Sequence, residues 1–268
     1  MTGRTKFSLQ FLGTGNARSK PPTNYNANAL VHVGDKRWLL DCGLLCPVAL
    51  HAMGMSVLDV DGVYITHLHG DHVLGLEEVF CTNYFFKQRR VGLWVPCGLF
   101  TTHSGIEGYD IWENCLRAAL ESSVYVEGAL HPLTLADFSD VHVMYPGGSE
   151  NIFGLEAEIF EVTHVPNRPS YGIMLDKRVC FTSDCTFSST AIADYFKNGA
   201  EIIFHDVDFE PATDNSVHAS FEELLTLPRD FRERMVLMHY GDDTCPKKLT
   251  AAREAGFRIA RLGEVFEF

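Results

Sequence analysis

The chain has 268 residues, 46% of them hydrophobic and 21% charged, with a formal net charge of −13. That length supports one large domain, or two small ones, with a sizeable core, and a single domain over 1–268 is expected. The acidity opposes nonspecific binding to nucleic acid, which needs clustered Lys and Arg against phosphate, and no apolar run approaches the roughly 20 residues that span a bilayer.

Residues 1–6 are basic but lead into a short alternating stretch, not the apolar region of a signal peptide, so a cytoplasmic protein is expected. Residues 7–12 alternate and meet Gly13-Thr14-Gly15, a strand ending in a tight turn. Residues 29–33 and 37–40 flank Gly34-Asp35 as a hairpin. A helix is predicted over 47–53, a short buried strand over 63–65, a helix over 73–86, a strand over 91–95 and a helix over 109–120. The second half repeats this grammar. Strands are predicted over 141–145, 156–162, 171–175, 178–182, 201–204, 235–238 and 257–261, the last of these final or penultimate. Helices are predicted over 189–196, 221–225 and 246–255. Strand-rich halves with interspersed helices imply sheets covered by helices.

The run Thr66-His67-Leu68-His69-Gly70-Asp71-His72 places three imidazoles and a carboxylate within six positions, directly after an apolar strand. Neutral imidazole suits zinc and similar metals, and carboxylate oxygen completes or bridges such sites. Four further sites repeat the pattern of an apolar strand followed at once by His or Asp: His164, Asp184, His205-Asp206 and His239. α/β architectures assemble active sites at strand ends in this way. For one such His alone, a structural role is the commoner case. The repetition after a His-x-His-x-Asp-His run shifts the balance.

The eight cysteines are scattered, with no Cys-x-x-Cys pair, so reduced thiols are expected. Cys42 and Cys46 lack a second pair at ligand spacing. The short basic clusters, Arg18 with Lys20, Lys87 with Arg89 and Arg90, and Lys247 with Lys248, read as solvated faces. Phe80, Tyr84, Phe85 and Phe86 form a stripe that is core, a dimer face or a substrate wall.

Taken in order, Leu40-Asp41-Cys42-Gly43, His67 to His72, His164, Ser183-Asp184 and His239 resemble the metallo-β-lactamase fold superfamily of metal-dependent hydrolases, over nearly the whole chain. The resemblance implies a four-layer αββα sandwich, an α/β fold, with a dinuclear site at one edge. One metal would take His67, His69 and His164, and the other Asp71, His72 and His239. Asp184 would bridge them, and Asp41 would support the site without ligating. Two divalent ions are implied, Zn2+ first, with Mn2+ or Fe as alternatives.

Within the superfamily the chain resembles ribonuclease Z and its phosphodiesterase relatives. Phe11-Leu12-Gly13-Thr14-Gly15, His164-Val165-Pro166 with Ser170-Tyr171-Gly172, His205-Asp206 and His218-Ala219-Ser220 carry that likeness. The last match makes His218 the candidate general acid; as a bare feature it is equally a residue near a helix start. Two departures stand out. Asn24 fits the family's loop, but Thr23 stands where an Arg is expected. The 19 residues between His164 and Asp184 also leave no room for the family's tRNA-clamping arm. The expected substrate is therefore a small phosphodiester or nucleotide, with RNA disfavoured. Homodimers are common in the family.

The mechanism implied is hydrolysis by water activated between two cations about 3.5–4 Å apart, which lower its pKa from about 16 towards 7. Asp71 would ligate and orient the nucleophile, and His218 would protonate the leaving group. The roles of Asn24, His205 and Asp206 stay open. The alternatives are a carboxylic ester, lactone or thioester hydrolase on the same metals, a metal-stabilised binding module, and a di-iron redox centre, for whose usual flavin domain there is no room.

Overall fold

The computed structural model describes residues 4–100 and 122–268. Its strands run in chain order β1 Ser8–Phe11, β2 Ala29–Val33, β3 Lys36–Leu40, β4 Gly62–Tyr64, β5 Val91–Pro96, β6 Ser122–Val126, β7 Ala129–Leu133 and β8 Ser139–Met144. They continue as β9 Ser149–Ile152, β10 Leu155–Val162, β11 Ser170–Leu175, β12 Val179–Phe181, β13 Ile202–Asp206, β14 Met235–Met238, β15 Arg258–Ile259 and β16 Val265–Glu267. Two seven-stranded sheets result, in the orders β16-β1-β2-β3-β4-β5-β8 and β15-β14-β13-β12-β11-β10-β9, with β6-β7 as a separate hairpin.

The sheets pack face to face. Phe11 of the first sheet lies 5.4 Å, ring to ring, from Phe204 of the second, and Phe204 lies 4.9 Å from Phe266. The Tyr64 hydroxyl donates across the gap to the Gly172 carbonyl at 3.3 Å. Alternation along β14 shows why a second apolar layer must exist. Val236 and Met238 join the inter-sheet core, while Met235 and Leu237 join Ile192, Leu224 and Ala252 of the helices Ser189–Lys197, Phe221–Leu224 and Pro246–Glu254. A strand apolar on both faces must be covered on both, and each large side chain so buried contributes about 1.5–3 kcal/mol. Helices Cys46–Ala52 and Leu76–Lys87 cover the first sheet through Ala49, Leu50, Leu76, Val79 and Phe80. The expected αββα layering is observed.

Strand direction positions the site. The pairs β3-β4, β4-β5, β12-β13 and β13-β14 are parallel. β10 and β12 are each antiparallel to β11, so they share a direction. The residues after β3 (Asp41), β4 (His67), β10 (His164), β12 (Asp184) and β14 (His239) therefore emerge together at strand C-terminal ends.

The structure departs from the sequence expectations at several elements. The helix expected over 73–86 is two, Gly70–Val73 and Leu76–Lys87. The break is where the loop after β3 docks. Cys42 N–H donates to the His72 carbonyl at 2.8 Å and Gly75 N–H to the Cys42 carbonyl at 2.9 Å. A Cβ on Gly75 would stand 2.4 Å from the Gly43 carbonyl oxygen, so only glycine admits the loop. The strand expected to reach Tyr145 stops at Met144, and that expected over 257–261 is two residues, with β16 after it. Strands β6, β7 and β9 were not expected. The helix predicted over 109–120 lies outside the described residues.

Candidate metal centre

The loops that carry the polar groups are held by a buried scaffold. Asp41, fully buried at φ +62°, accepts from Thr66 N–H and the Thr66 hydroxyl, both at 2.8 Å, and from His72 Nδ1 at 2.7 Å. Ser183 and His239 also adopt the left-handed region, at φ +56° and +64°. Such non-glycine conformations cost about 1–3 kcal/mol each and cluster at functional sites. Here all three stand where a strand hands over to the site. Asn28 Oδ1 accepts from Gly43 N–H at 3.0 Å while its Nδ2 donates to the Asp71 carbonyl at 3.2 Å. A Cβ on Gly43 would lie 1.8 Å from that same carbonyl, so the close approach requires glycine.

Two groups of ligand-type atoms result, each with its members within 4.8 Å of one another. The first joins His67, His69, His164 and Asp184, and the second Asp71, His72, Asp184 and His239. Asp184 belongs to both: its Oδ2 lies 3.8 Å from His67 Nε2, 3.8 Å from His164 Nε2, 3.4 Å from His72 Nε2 and 3.2 Å from His239 Nε2. All seven residues singled out in the sequence are thus brought together.

The protonation pattern fits a cation. His164 Nδ1 donates to the Val217 carbonyl at 2.8 Å, and His72 Nδ1 to Asp41. In its neutral form each ring then carries its lone pair on Nε2, directed at the cluster. His72 Nε2 is buried with no hydrogen-bond partner among the described residues. His69 Nδ1 sits 3.0 Å from His67 Nε2 and 3.2 Å from His164 Nε2. Three nitrogens packed this closely cannot all be satisfied by protons, whereas a divalent ion satisfies them at once. These residues suit divalent metal binding.

Electrostatics differ between the groups. Burial, and then the neighbouring His164, holds His69 down to about 4, and burial with His72 lowers His67 well below the usual range. Burial also disfavours charge on Asp71 and Asp184, but the imidazoles outweigh it and depress both carboxyls. For His72 and His239 burial is outweighed by Asp184 first, and then by Asp41 or Asp206. His72 is raised well above the imidazole range and His239 to about 10.

A pH signature follows for protein stripped by a chelator. Depressed carboxylates stabilise above their unfolded pKa near 4, a contribution lost as pH falls through the folded value. Raised imidazoles stabilise below their unfolded pKa near 6.5, a contribution lost as pH rises through the folded value, about 10 for His239. Depressed imidazoles, His67 and His69 among them, act the other way and cost stability as pH falls below about 6.5, so stripped protein is expected to gain stability from about pH 4 to 6.5, to melt highest near pH 6.5 and to lose stability above that. Metal-loaded protein should gain stability over the same rise, because binding needs neutral imidazole. Thermal melts across pH with and without chelator check this.

A third group, Asp206, His218 and His239, adjoins the second. Asp206 is fully buried, with Oδ2 2.7 Å from His218 Nδ1 and Oδ1 3.4 Å from His239 Nδ1, and Oδ2 also accepts from Cys185 N–H at 3.1 Å. His218 is the more open imidazole, its ring 5.0 Å from both His164 and His239. Burial lowers its pKa, but Asp206 outweighs burial and raises it.

Other singled-out residues fall elsewhere. Asn24 accepts from Thr14 N–H at 3.1 Å and Tyr25 N–H at 2.9 Å, fixing the turn after β1. His205 is buried, bonded to the Asp206 backbone at 2.7 Å and facing Cys185 Sγ at 3.7 Å. Cys42 and Cys46 are buried and belong to none of the three groups. The aromatic stripe divides, with Phe80 in the core and Phe85 and Phe86 exposed. Lys248 pairs with Glu210 at 2.7 Å. Sequence reasoning missed Asn28, which carries no strand-end signal; Asp206 and Asp41 were the carboxylates expected to fix imidazole tautomers, and the structure sets Asp41 against His72 and Asp206 against His218 and His239.

A family model described as anti-Pycsar protein Apyc1 matches residues 7–266. The anti-Pycsar protein Apyc1 of Paenibacillus sp. (strain J14) is 34% identical over 237 residues, spanning 88% of this chain and 89% of its own. The metallo-β-lactamase fold protein YhfI from Bacillus subtilis superposes with a TM-score of 0.71 at 16% identity, covering 98% of this chain and 100% of that one. Human tRNase Z, short form, superposes at 0.65 with 20% identity, covering 97% and 98%. At these identities the likeness to solved structures shows the fold, which is that of the metallo-β-lactamases.

Proposed function

Because this chain belongs to the anti-Pycsar protein Apyc1 family, and its strand ends gather two divalent-metal groups, we propose that it is a dinuclear phosphodiesterase acting on a small nucleotide phosphodiester. His67, His69 and His164 would hold one ion, Asp71, His72 and His239 the other, and Asp184 both; Zn2+ suits this nitrogen-rich set. When bound, such a pair of ions lowers the pKa of water and stabilises charge on phosphoryl oxygens.

The observation that carries the phosphodiester reading is the Asp206–His218 pair. An alkoxide leaving group needs a proton, and the thiolate that leaves from a thioester needs it less. With Nδ1 donating to Asp206 at 2.7 Å, His218 keeps Nε2 for the substrate. The buried carboxylate favours the imidazolium, the form whose Nε2 proton a leaving group can take. The same carboxylate reaches His239 Nδ1, so the acid and one side of the metal centre are aligned by one side chain. Asp71, next to His72 and His239, would ligate the second ion and orient the nucleophile. The span between His164 and Asp184 is filled by β11 and β12. It holds no arm for tRNA, and with the net charge of −13 it favours a small substrate.

A hydrolase of carboxylic esters, lactones or thioesters on the same metals is the competing reading. Metal-loaded protein should turn over bis(p-nitrophenyl) phosphate and nucleotide phosphodiesters faster than a lactone or a thioester under the same conditions. Lactone or thioester turnover without phosphodiester cleavage would reverse the assignment.

A further inference from the structure

The loop between β10 and β11 borders an open cleft of about 270 Å³ lined by residues 161–171, just below the range of ordinary ligand pockets. His164 lies on its wall and also turns Nε2 towards the first metal group, so the cleft opens beside the reacting centre. We propose that this cleft is the nucleoside subsite of the enzyme and that Arg168 is its specificity-determining side chain. The inference rests on the phosphodiesterase reading and names which part of the substrate the loop takes.

Three observations support it. Arg168 is exposed, lines the cleft, and its guanidinium has no partner among the described residues, although acidic groups outnumber basic ones 35 to 22 along the chain. Arg168 N–H donates to the Val165 carbonyl at 3.1 Å, and Asn167 sits at φ +61°, so the turn presenting the guanidinium is formed in advance. The hydroxyl of Ser170 lines the same cleft, is buried, and has no hydrogen-bond partner among the described residues. A buried donor left open beside a free guanidinium suits a heterocycle rich in carbonyl and ring-nitrogen acceptors. Val165, Pro166 and Pro169 offer apolar surface to its face. The planar guanidinium either stacks on such a ring or bonds two of its acceptors.

The test is calorimetric titration of metal-loaded protein with AMP, CMP and inorganic phosphate, which needs no turnover. At least one nucleotide should bind about tenfold or more tightly than phosphate, and Arg168→Ala should remove about tenfold of that margin while leaving phosphate affinity in place. Charge reversal, Arg168→Glu, should remove more. In parallel, the kcat/KM ratio of a nucleotide phosphodiester to bis(p-nitrophenyl) phosphate should fall about tenfold in Arg168→Ala, through KM. The subsite is refuted if neither nucleotide outbinds phosphate, or if the margin survives both variants. Absence of bis(p-nitrophenyl) phosphate turnover in wild-type protein would instead refute the phosphodiesterase reading, and the titration separates the two failures.

Discussion

Replacing Asp184 by asparagine is expected to lower phosphodiester turnover by about 10³-fold or more and to leave the purified protein with less than its full metal content. One carboxylate oxygen stands within 3.2 to 3.8 Å of four imidazole nitrogens drawn from both groups. Asparagine keeps the size of the side chain but removes the negative charge and turns one oxygen into a donor. That donor would face nitrogens that must all present lone pairs to a cation. The loss should therefore exceed that of a change confined to one group, such as His69→Ala. Elemental analysis alongside steady-state kinetics measures both halves. Wild-type metal content with wild-type turnover in Asp184→Asn would show that the two groups do not share this oxygen.

His218→Ala should lower kcat by about 10²–10⁴-fold with metal content unchanged, the effect of removing a general acid. Its pH behaviour separates it from a structural defect. An acid works while protonated, so turnover should fall as pH rises through the His218 pKa. Asp206 raises that pKa, so Asp206→Asn should move the alkaline limb to lower pH as well as reduce the rate. A substrate whose leaving group is a good anion, such as p-nitrophenolate, should suffer less from His218→Ala than one leaving as an alkoxide. Equal losses on both would remove proton delivery from the role of His218.

The residues of the two candidate metal groups were legible because chemistry concentrated them. Three imidazoles within six residues form a local signal, and His164, Asp184 and His239 each follow an apolar run. The hidden parts depend on tertiary contact. Asn28 sits within an ordinary polar stretch, and only the fold brings its amide between Gly43 and Asp71. Helical periodicity continued through Leu74-Gly75 because no local rule announces that a loop some thirty residues upstream will dock there. The β6-β7 hairpin turns through Glu127 at φ +51° and Gly128 at φ +84°, a primed turn without the Asn-Gly or Asp-Gly pair that usually marks one. β9 went unseen because three of its four residues face solvent as an edge strand, leaving one buried position and no alternation to read. The contact of Phe11 with Phe204 across the two sheets joins residues 193 positions apart, and the layering it belongs to was expected from resemblance, not pattern.

Seven side chains from both sheets are proposed to hold two cations around the Asp184 carboxylate. Anomalous diffraction at the metal absorption edge, from crystals of protein reconstituted with Zn2+, tests it most directly. Two peaks per chain are expected, one among His67, His69 and His164 and one among Asp71, His72 and His239, with Asp184 between them. A folded protein that shows no peak at this edge of the sheets after reconstitution would contradict it.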